Sequence, residues 1–313
     1  MRTKYSISTA VAYCIRSISF CVLLVILSTC TKADIDYRPE PQSLLLIHPD
    51  VSIHTLPAMQ YHFYNADEQT DCLILSCDGK GNFSGTIPPG DYRVIAVNTD
   101  ANGVQFTGMD NCEAATVSNS SLTRSSYTML SQPDKVYSIP LDWFTISGTD
   151  TVYHYPTPVL LTKKVWIKIT LTGTLQEDVI GIEGILPGVY SEVNLYSCKP
   201  TETGMASSPN QAVKFEFREQ EDNWLTDVNL FGLCNPDHGL VYENNMDLFL
   251  TMSDQFVSEV EVELTEQLSE IIEKSQGVIP IELSLHIKID RVRTKLIATV
   301  VAWRAGGSGS GYL

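Results

Sequence analysis

Residues 164–171 (KVWIKITL) alternate apolar and polar side chains, and this period of two is typical of a β-strand that buries one face. Lys164, Lys168 and Thr170 are expected to face solvent. Trp166 also falls on the outer face, where either shielding by another part of the chain or a ligand platform would account for it. The residues expected to point inward are Val165, Ile167, Ile169 and Leu171.

Short segments of the same kind recur on both sides of this strand, each bounded by turn-forming residues. The strands predicted before it are residues 43–48, 59–64, 72–76, 92–97, 104–106, 112–117, 136–139 and 143–146. The strands predicted after it are residues 179–185, 191–196, 213–217, 224–230, 248–252, 257–264, 281–289 and 296–303. So many short strands predict an all-β fold.

Two other segments are expected to lie outside the strands. The serine-rich residues 118–126 are expected to form an exposed loop. Residues 266–274 carry apolar side chains at helical spacing and are predicted to be the single short helix, near the C-terminus.

A division into two domains is predicted at residues 151–158 (TVYHYPTP), where two prolines disfavour a central strand. The halves on either side, residues 43–157 and 158–313, are similar in size and in strand pattern. We therefore expect two antiparallel β-sandwich domains.

The N-terminus has the pattern of an export signal. Residues 1–29 contain three positive charges and then an apolar run too short to span a bilayer comfortably. Residues 27–30 (LSTC) resemble a bacterial lipoprotein box, which implies cleavage before Cys30 and a diacylated Cys30 at the mature N-terminus. Residues 30–42 then form a polar tether between lipid and body. The alternatives are an ordinary secretory peptide cleaved nearby or an uncleaved anchor.

Composition and motifs argue against several functions. The formal net charge of −16 disfavours nucleic-acid binding, because an acidic protein repels phosphate groups. The cysteines have neither the spacing of a zinc site nor that of a disulfide framework. The six histidines are isolated, and we found no catalytic motif, so we expect no enzyme, no metal site and no cofactor.

Several spaced patterns together resemble the fimbrillin-related lipoproteins of Bacteroidetes, a superfamily that includes minor-fimbria anchor proteins and an uncharacterised two-domain group. The patterns are residues 89–100 (PGDYRVIAVNTD), 106–108 (FTG), 161–165 (LTKKV), 257–274 and 299–303 (TVVAW). The resemblance implies two tandem transthyretin-like sandwiches. It also implies partners among fimbrial subunits, because pilus-forming members lose a first strand to an arginine-specific protease and receive a neighbour's C-terminal strand.

Two features of this sequence depart from that pattern. Arg38 is the candidate protease site ahead of the first strand, but Pro39 follows it, and cleavage there would leave the lipid on Cys30 behind. The tail at residues 306–313 (GGSGSGYL) lacks the alternating aliphatic residues of a donor strand.

The resulting expectation is an outer-membrane lipoprotein at the cell surface that anchors, caps or joins a fimbria-like fibre by β-strand complementation. The alternative is a surface lipoprotein that binds glycan or a host ligand. The aromatic candidates for such a site are Trp143, Trp166, Trp224 and Trp303, whose strand contexts favour core positions.

Overall fold

The structure, a computed structural model, describes residues 42–50, 55–66, 72–77, 80–124, 127–207, 210–233, 245–274, 282–292 and 295–305. All of them belong to one unit of the chain, Gln42–Leu313. The proposed signal, Cys30, Arg38 and the tail at 306–313 lie outside the described residues. In the described part, no helix is long and apolar enough to cross a membrane.

The chain folds almost entirely as β-strands, which confirms the all-β prediction. The strands before residue 158 are β1 (Ser43–Ile47), β2 (Gln60–Asn65), β3 (Cys72–Ser76), β4 (Phe83–Ile87), β5 (Gly90–Val97), β6 (Val104–Thr107), β7 (Thr116–Asn119), β8 (Ser121–Arg124), β9 (Thr128–Leu130), β10 (Tyr137–Ile146) and β11 (Val152–His154).

The second half of the chain supplies an equal number of described strands. They are β12 (Val159–Leu160), β13 (Lys163–Leu171), β14 (Val179–Pro187), β15 (Glu192–Asn194), β16 (Gln211–Glu216), β17 (Arg218–Gln220), β18 (Asn223–Leu230), β19 (Asn245–Met252), β20 (Val257–Glu263), β21 (Glu282–Val292) and β22 (Lys295–Ala305).

The prediction of a single helix was wrong. Besides α3 (Thr265–Lys274), the described residues contain α1 (Leu175–Asp178) and α2 (Glu202–Ser207). Both are one to two turns long, too short to show the repeated apolar spacing on which helix prediction depends. Leu175 nevertheless packs α1 into the core beside β14.

Five sheets arise from these strands. Two have five strands, in the orders β12-β10-β5-β2-β3 and β17-β18-β13-β21-β22, and one has six, in the order β20-β19-β14-β16-β9-β8. Two small sheets have the orders β11-β1-β4 and β15-β7-β6. Most strand pairs are antiparallel, as expected, but β1 with β11, β13 with β21 and β16 with β9 pair in parallel.

The alternation in β13 has the predicted consequence. Its four apolar side chains are all buried in one large cluster, together with inward-facing residues of β14, β19, β20 and β21. β20 alternates in the same way, since the glutamates at 259, 261 and 263 face solvent while Val260 and Val262 are buried. This cluster forms the core between the five-stranded and six-stranded sheets of the second half.

A second apolar cluster lies between β1 and β4 on one side and β2, β5 and β10 on the other. It is rich in aromatic side chains, and the ring of Phe83 lies 5.3 Å from those of both Tyr61 and Phe63. Leu45 and Ile47 of β1 are fully buried in it.

A third cluster joins segments from both halves of the sequence. Ile95 and Val97 on the outer face of β5 pack with Val117, and with Val193 and Leu195 from the second half. Hydrogen bonding also crosses between the halves, since β15 pairs with β7 and β16 pairs with β9. The division at residues 157 and 158 stays a prediction.

Three local predictions differ from the structure. The serine-rich segment is largely strand rather than loop, because β7 pairs with β6 and β15, and β8 pairs with β9. The strand expected at 112–117 begins only at Thr116, after a turn in which Asn111 accepts hydrogen bonds from Glu113 and Ala114. The strands expected at 136–139 and 143–146 are one strand, β10, with a bulge between Leu141 and Phe144.

Candidate strand-exchange site

The candidate strand-exchange site consists of the sheet β11-β1-β4, with β1 in the middle. β1 pairs antiparallel with β4 along its whole length, from Ser43 opposite Ile87 to Ile47 opposite Phe83. On its other side it pairs in parallel with β11, with Leu45 opposite Val152. Both sets of backbone groups on β1 are therefore committed to neighbouring strands.

The ladder between β1 and β11 continues past the end of both strands. The amide of His48 donates to the carbonyl of His154 at 2.9 Å, and the amide of Asp50 donates to the carbonyl of Pro156 at 2.9 Å. The ring of His48 also stacks on Tyr155, with 6.0 Å between centroids. The first strand is thus held on this side by a hydrogen-bonded edge that runs from Leu45 to Asp50.

Alternate side chains of β1 have different surroundings. Leu45 and Ile47 are fully buried against the second cluster, whereas Leu44 is 39% exposed. Removal of β1 would leave two apolar pockets in the core and a row of unpaired backbone groups on β4 and β11. An incoming strand with aliphatic side chains at i and i+2 would fill both pockets.

Ser43 places one polar contact at the start of this otherwise apolar strand. Its buried Oγ accepts a hydrogen bond from the amide of Gly148 at 2.9 Å. Neither β1 nor β4 contains an acidic or basic residue. If β1 left, the groove would keep the amide of Gly148 as a donor, so the register of an incoming strand would be set by side-chain volume and by an acceptor for this amide, not by charge.

His154 is the titratable group of this site, on β11 opposite Ile47. Its ring lies 4.4 Å from the ring of Phe144, and its Nε2 is buried without a hydrogen-bond partner. Burial lowers the pKa of His154 below its ordinary value of 6.5. The histidine is therefore a neutral packing residue at neutral pH.

β22 is the second element that strand exchange would use, and it forms one edge of its sheet. It pairs only with β21 among the described strands, over residues Lys295–Ala305. Leu296, Ala298 and Val300 are only partly buried against the core, while Ile297 and Val301 are exposed. This strand, rather than the glycine-rich tail, carries the aliphatic residues of the C-terminal region.

Trp224 is buried, as the strand contexts of the tryptophans predicted, and Trp166 lies on the outer face of its strand, as the alternation predicted, whereas Trp143 does not occupy the core. Trp143 is 48% exposed and Trp166 is 41% exposed. The ammonium group of Lys164 lies 4.6 Å from the centroid of the Trp166 ring and also forms an ion pair of 2.7 Å with Asp227. The side chain of Trp303 lies outside the described part.

The bulge in β10 places Asp142 and Trp143 opposite the single residue Arg93 of β5. The guanidinium of Arg93 lies 4.7 Å from the Trp143 ring centroid and 5.0 Å from that of Tyr196, and it pairs with Glu113 at 3.1 Å. The hydroxyl of Tyr196 donates to Asp142. We call Arg93, Asp142, Trp143 and Tyr196 the outer-face cluster. The sequence did not predict it, because its members are up to 103 positions apart and only the fold brings them together.

The other described cysteines and histidines do not form an identifiable reactive site. Burial raises the pKa of the Cys72 thiol to about 11 and that of Cys112 to about 12, so both stay protonated at neutral pH. Cys72, at the start of β3, packs against the third cluster, and Cys77, just after its end, packs against the second. Among the described residues, no three His, Cys, Asp or Glu side chains are placed to hold a metal ion.

The comparisons with known proteins concern both sequence and fold. Residues 48–200 match the family described as Domain of unknown function (DUF5119). A search of curated proteins finds no significant match.

Several solved structures share this fold. A candidate adhesin from Bacteroides ovatus is 16% identical, with a TM-score of 0.57 over 76% of this chain and 87% of that one. Candidate polysaccharide-binding proteins (DUF1812) from Bacteroides thetaiotaomicron are 11% identical, with a TM-score of 0.53 over 85% and 96%. The fimbrial anchor protein Mfa2 from Porphyromonas gingivalis is 6% identical, with a TM-score of 0.50 over 82% and 95%.

Each of these matches covers most of this chain and most of the matched chain. At such low identities they compare folds and not sites. The chain therefore shares the fold of these Bacteroidetes adhesins and fimbrial proteins, which agrees with the resemblance to the fimbrillin-related lipoproteins inferred from the sequence.

Proposed function

We propose that this protein is a surface lipoprotein that anchors, caps or joins a fimbria-like fibre by β-strand complementation. The observation that carries the proposal is β1, a five-residue strand with two fully buried aliphatic side chains in the middle of a three-stranded sheet. Such a strand can be replaced by another of the same pattern at little cost, because the incoming strand makes the same hydrogen bonds and fills the same pockets.

The route of exchange follows from the position of β1 in the chain. Cys30, the proposed lipidation site, and Arg38 both precede Ser43, so cleavage at Arg38 would release the body from the membrane. Displacement of β1 without cleavage would keep it attached through residues 30–42. We therefore favour displacement, which suits a terminal or anchoring component held at the outer membrane.

A cross-strand disulfide tests this proposal in the native membrane. Leu44 lies opposite Thr86 and both are exposed, so Leu44→Cys with Thr86→Cys would covalently attach β1 to β4. Outer membranes are run in SDS with and without boiling and blotted for this protein. The wild type is expected to give high-mass species that collapse on boiling.

The disulfide-linked variant should give only monomer until dithiothreitol restores the high-mass species. A matched control is Asn245→Cys with Glu263→Cys, which links β19 to β20 in the other half of the chain and should leave the species unchanged. A wild type that runs as monomer in both lanes would exclude strand exchange. An unchanged ladder in the β1-linked variant would show that β1 is not the strand that moves.

A second candidate function, binding of glycan or a host ligand, is favoured by the outer-face cluster. An exposed indole beside an arginine and a carboxylate offers a stacking surface with a donor and an acceptor at its border. Glycan arrays probed with the wild type and with Trp143→Ala test this function, and Trp166→Ala provides a control tryptophan outside the cluster. Equal binding by all three proteins would exclude the cluster as the site.

A further inference from the structure

A segment from the first half of the chain, residues 128–132 (TMLSQ), lies on the second half. Its strand β9 pairs in parallel with three residues of β16, beginning with Thr128 opposite Gln211. β9 also pairs with β8, so this hairpin forms one end of the six-stranded sheet of the second half. We call residues 128–132 the clasp.

Leu130 of the clasp completes the core of the second half. It is 4% exposed and lies in the large cluster with buried side chains of β13, β14, β19 and β21. Among the described residues, it is the only buried member of that cluster that comes before residue 159 in the sequence. A smaller side chain here would therefore leave a cavity in the second half, although the residue itself belongs to the first half.

Gln132 of the clasp joins the two sheets of the second half. Its side-chain NH₂ group donates to the carbonyl of Lys214 on β16, and its side-chain oxygen accepts from the amide of Asn229 on β18, both at 3.2 Å. β16 belongs to the six-stranded sheet and β18 to the five-stranded sheet. Lys214 lies just beyond the residues of β16 that pair with β9, and Asn229 lies beyond the residues of β18 that pair with β17. Gln132 therefore bonds to backbone groups where those neighbouring strands end.

The second half in turn completes the core of the first. Val193 and Leu195 are buried in the third cluster beside the outer face of β5. The hydroxyl of Ser138, a fully buried residue of β10, donates to the carbonyl of Leu195 at 2.6 Å. The amide of Leu195 donates to the carbonyl of Ala115 at 2.9 Å. Separation of the halves would break these hydrogen bonds and expose these apolar side chains to water.

We propose that the clasp couples the two halves so that they unfold as one cooperative unit. Tandem domains joined only by a linker keep separate cores and can unfold independently. Here each half contributes to a core of the other, and the described residues of both halves lie in one compact unit, Gln42–Leu313. The clasp contacts do not include β1, so the coupling is independent of strand exchange at that strand.

Pulsed hydrogen exchange of the full chain across a urea series tests the proposal, because mass spectrometry measures each half separately. Peptides from β2 and β5 report on the first half, and peptides from β13 and β14 report on the second. In the wild type, the two sets of peptides should lose protection at the same urea concentration, within about 0.3 M.

Removal of two clasp side chains gives the decisive comparison. In Leu130→Ala with Gln132→Ala, the second half should lose protection at least about 1 M of urea below the first half, because it loses a buried side chain and the link between its sheets. The matched control is Leu250→Ala, the same leucine change at a fully buried position of the same cluster on β19. This control keeps the clasp, so both halves should lose protection together, at a lower urea concentration than in the wild type.

Three outcomes would overturn the proposal. They are separate midpoints for the two halves in the wild type, coincident midpoints in the double variant, and a first half whose midpoint does not move in Leu250→Ala. Circular dichroism checks that each variant folds. If the double variant does not fold, Gln132→Ala alone replaces it, with midpoints of the two halves expected to differ by at least about 0.5 M of urea. Coincident midpoints in that variant would equally overturn the proposal.

Discussion

Replacing Leu45 by alanine should destabilise the protein strongly, because the side chain is fully buried in the middle strand of the strand-exchange site. Leucine-to-alanine changes at such positions cost about 2–5 kcal/mol, which combines lost burial with the cavity left behind. We expect about 3 kcal/mol here. With a urea dependence of about 2–3 kcal/mol per molar, the unfolding midpoint should fall by about 1–1.5 M.

The neighbouring residue provides the control. Leu44 is the same residue type on the same strand, but it is 39% exposed, so Leu44→Ala should change the free energy of unfolding by less than about 1 kcal/mol. Both variants keep the backbone ladder, so the comparison isolates the buried side chain. Urea unfolding followed by circular dichroism measures both values.

Hydrogen exchange gives the local counterpart of this measurement. In Leu45→Ala, amides of β4 and β11 that donate to β1 should lose protection, because β1 detaches more often. The reasoning would be refuted by midpoints for Leu45→Ala and Leu44→Ala that agree within about 0.3 M of urea. It would also be refuted by loss of protection spread evenly over the second half of the chain.

Three further predictions concern the rest of the fold. Burial lowers the pKa of His62 below 6.5, so the unfolded chain binds the proton more tightly than the folded chain. The free energy of unfolding should therefore fall as the pH decreases below about 6.5. In His62→Gln the urea midpoint should depend less on pH in this range. Trp224→Ala should lower the free energy of unfolding by about 3–5 kcal/mol and the exposed Trp166→Ala by less than about 1, measured by urea unfolding. A Cβ on Gly184 would lie 2.3 Å from an aromatic ring, whereas a Cβ on Gly181 would have no neighbour closer than 3.8 Å. Gly184→Ala should therefore lower the free energy of unfolding by about 1–3 kcal/mol, and Gly181→Ala should change it little. Equal melting temperatures for the two variants would contradict this prediction.

The sequence predicted strands best where one face of the strand is buried and the other is exposed to solvent. In β13 and β20 the side chains alternate because each lies over the core of its half, and that alternation is visible without knowing the neighbouring strands. The two short helices and the strands β8 and β9 were missed for the opposite reason. β9 is stabilised by the distant β16 and β8 by β9, while the helices are too short to show repeated apolar spacing, so nothing in these segments' own sequences indicates their structure.

The same distinction applies to the strand-exchange site. The run at residues 43–48 was predicted as the first strand, and it is β1. Its parallel partner β11 was assigned to the segment between domains, because two prolines follow closely. Local sequence gave no sign of the contact between Ser43 and Gly148, which are 105 positions apart.

The crossed pairing between the two halves has a consequence for synthesis of the chain. A chain leaves the ribosome N-terminus first, so β9 can pair with β8 at once but lacks its second partner until β16 has been made. The paired residue Gln211 lies 83 positions after Thr128, and at roughly 5–20 residues per second this interval is about 4–17 s. During that time the nascent first half keeps an unfinished sheet edge, and a chaperone that binds extended apolar segments would find its substrate there.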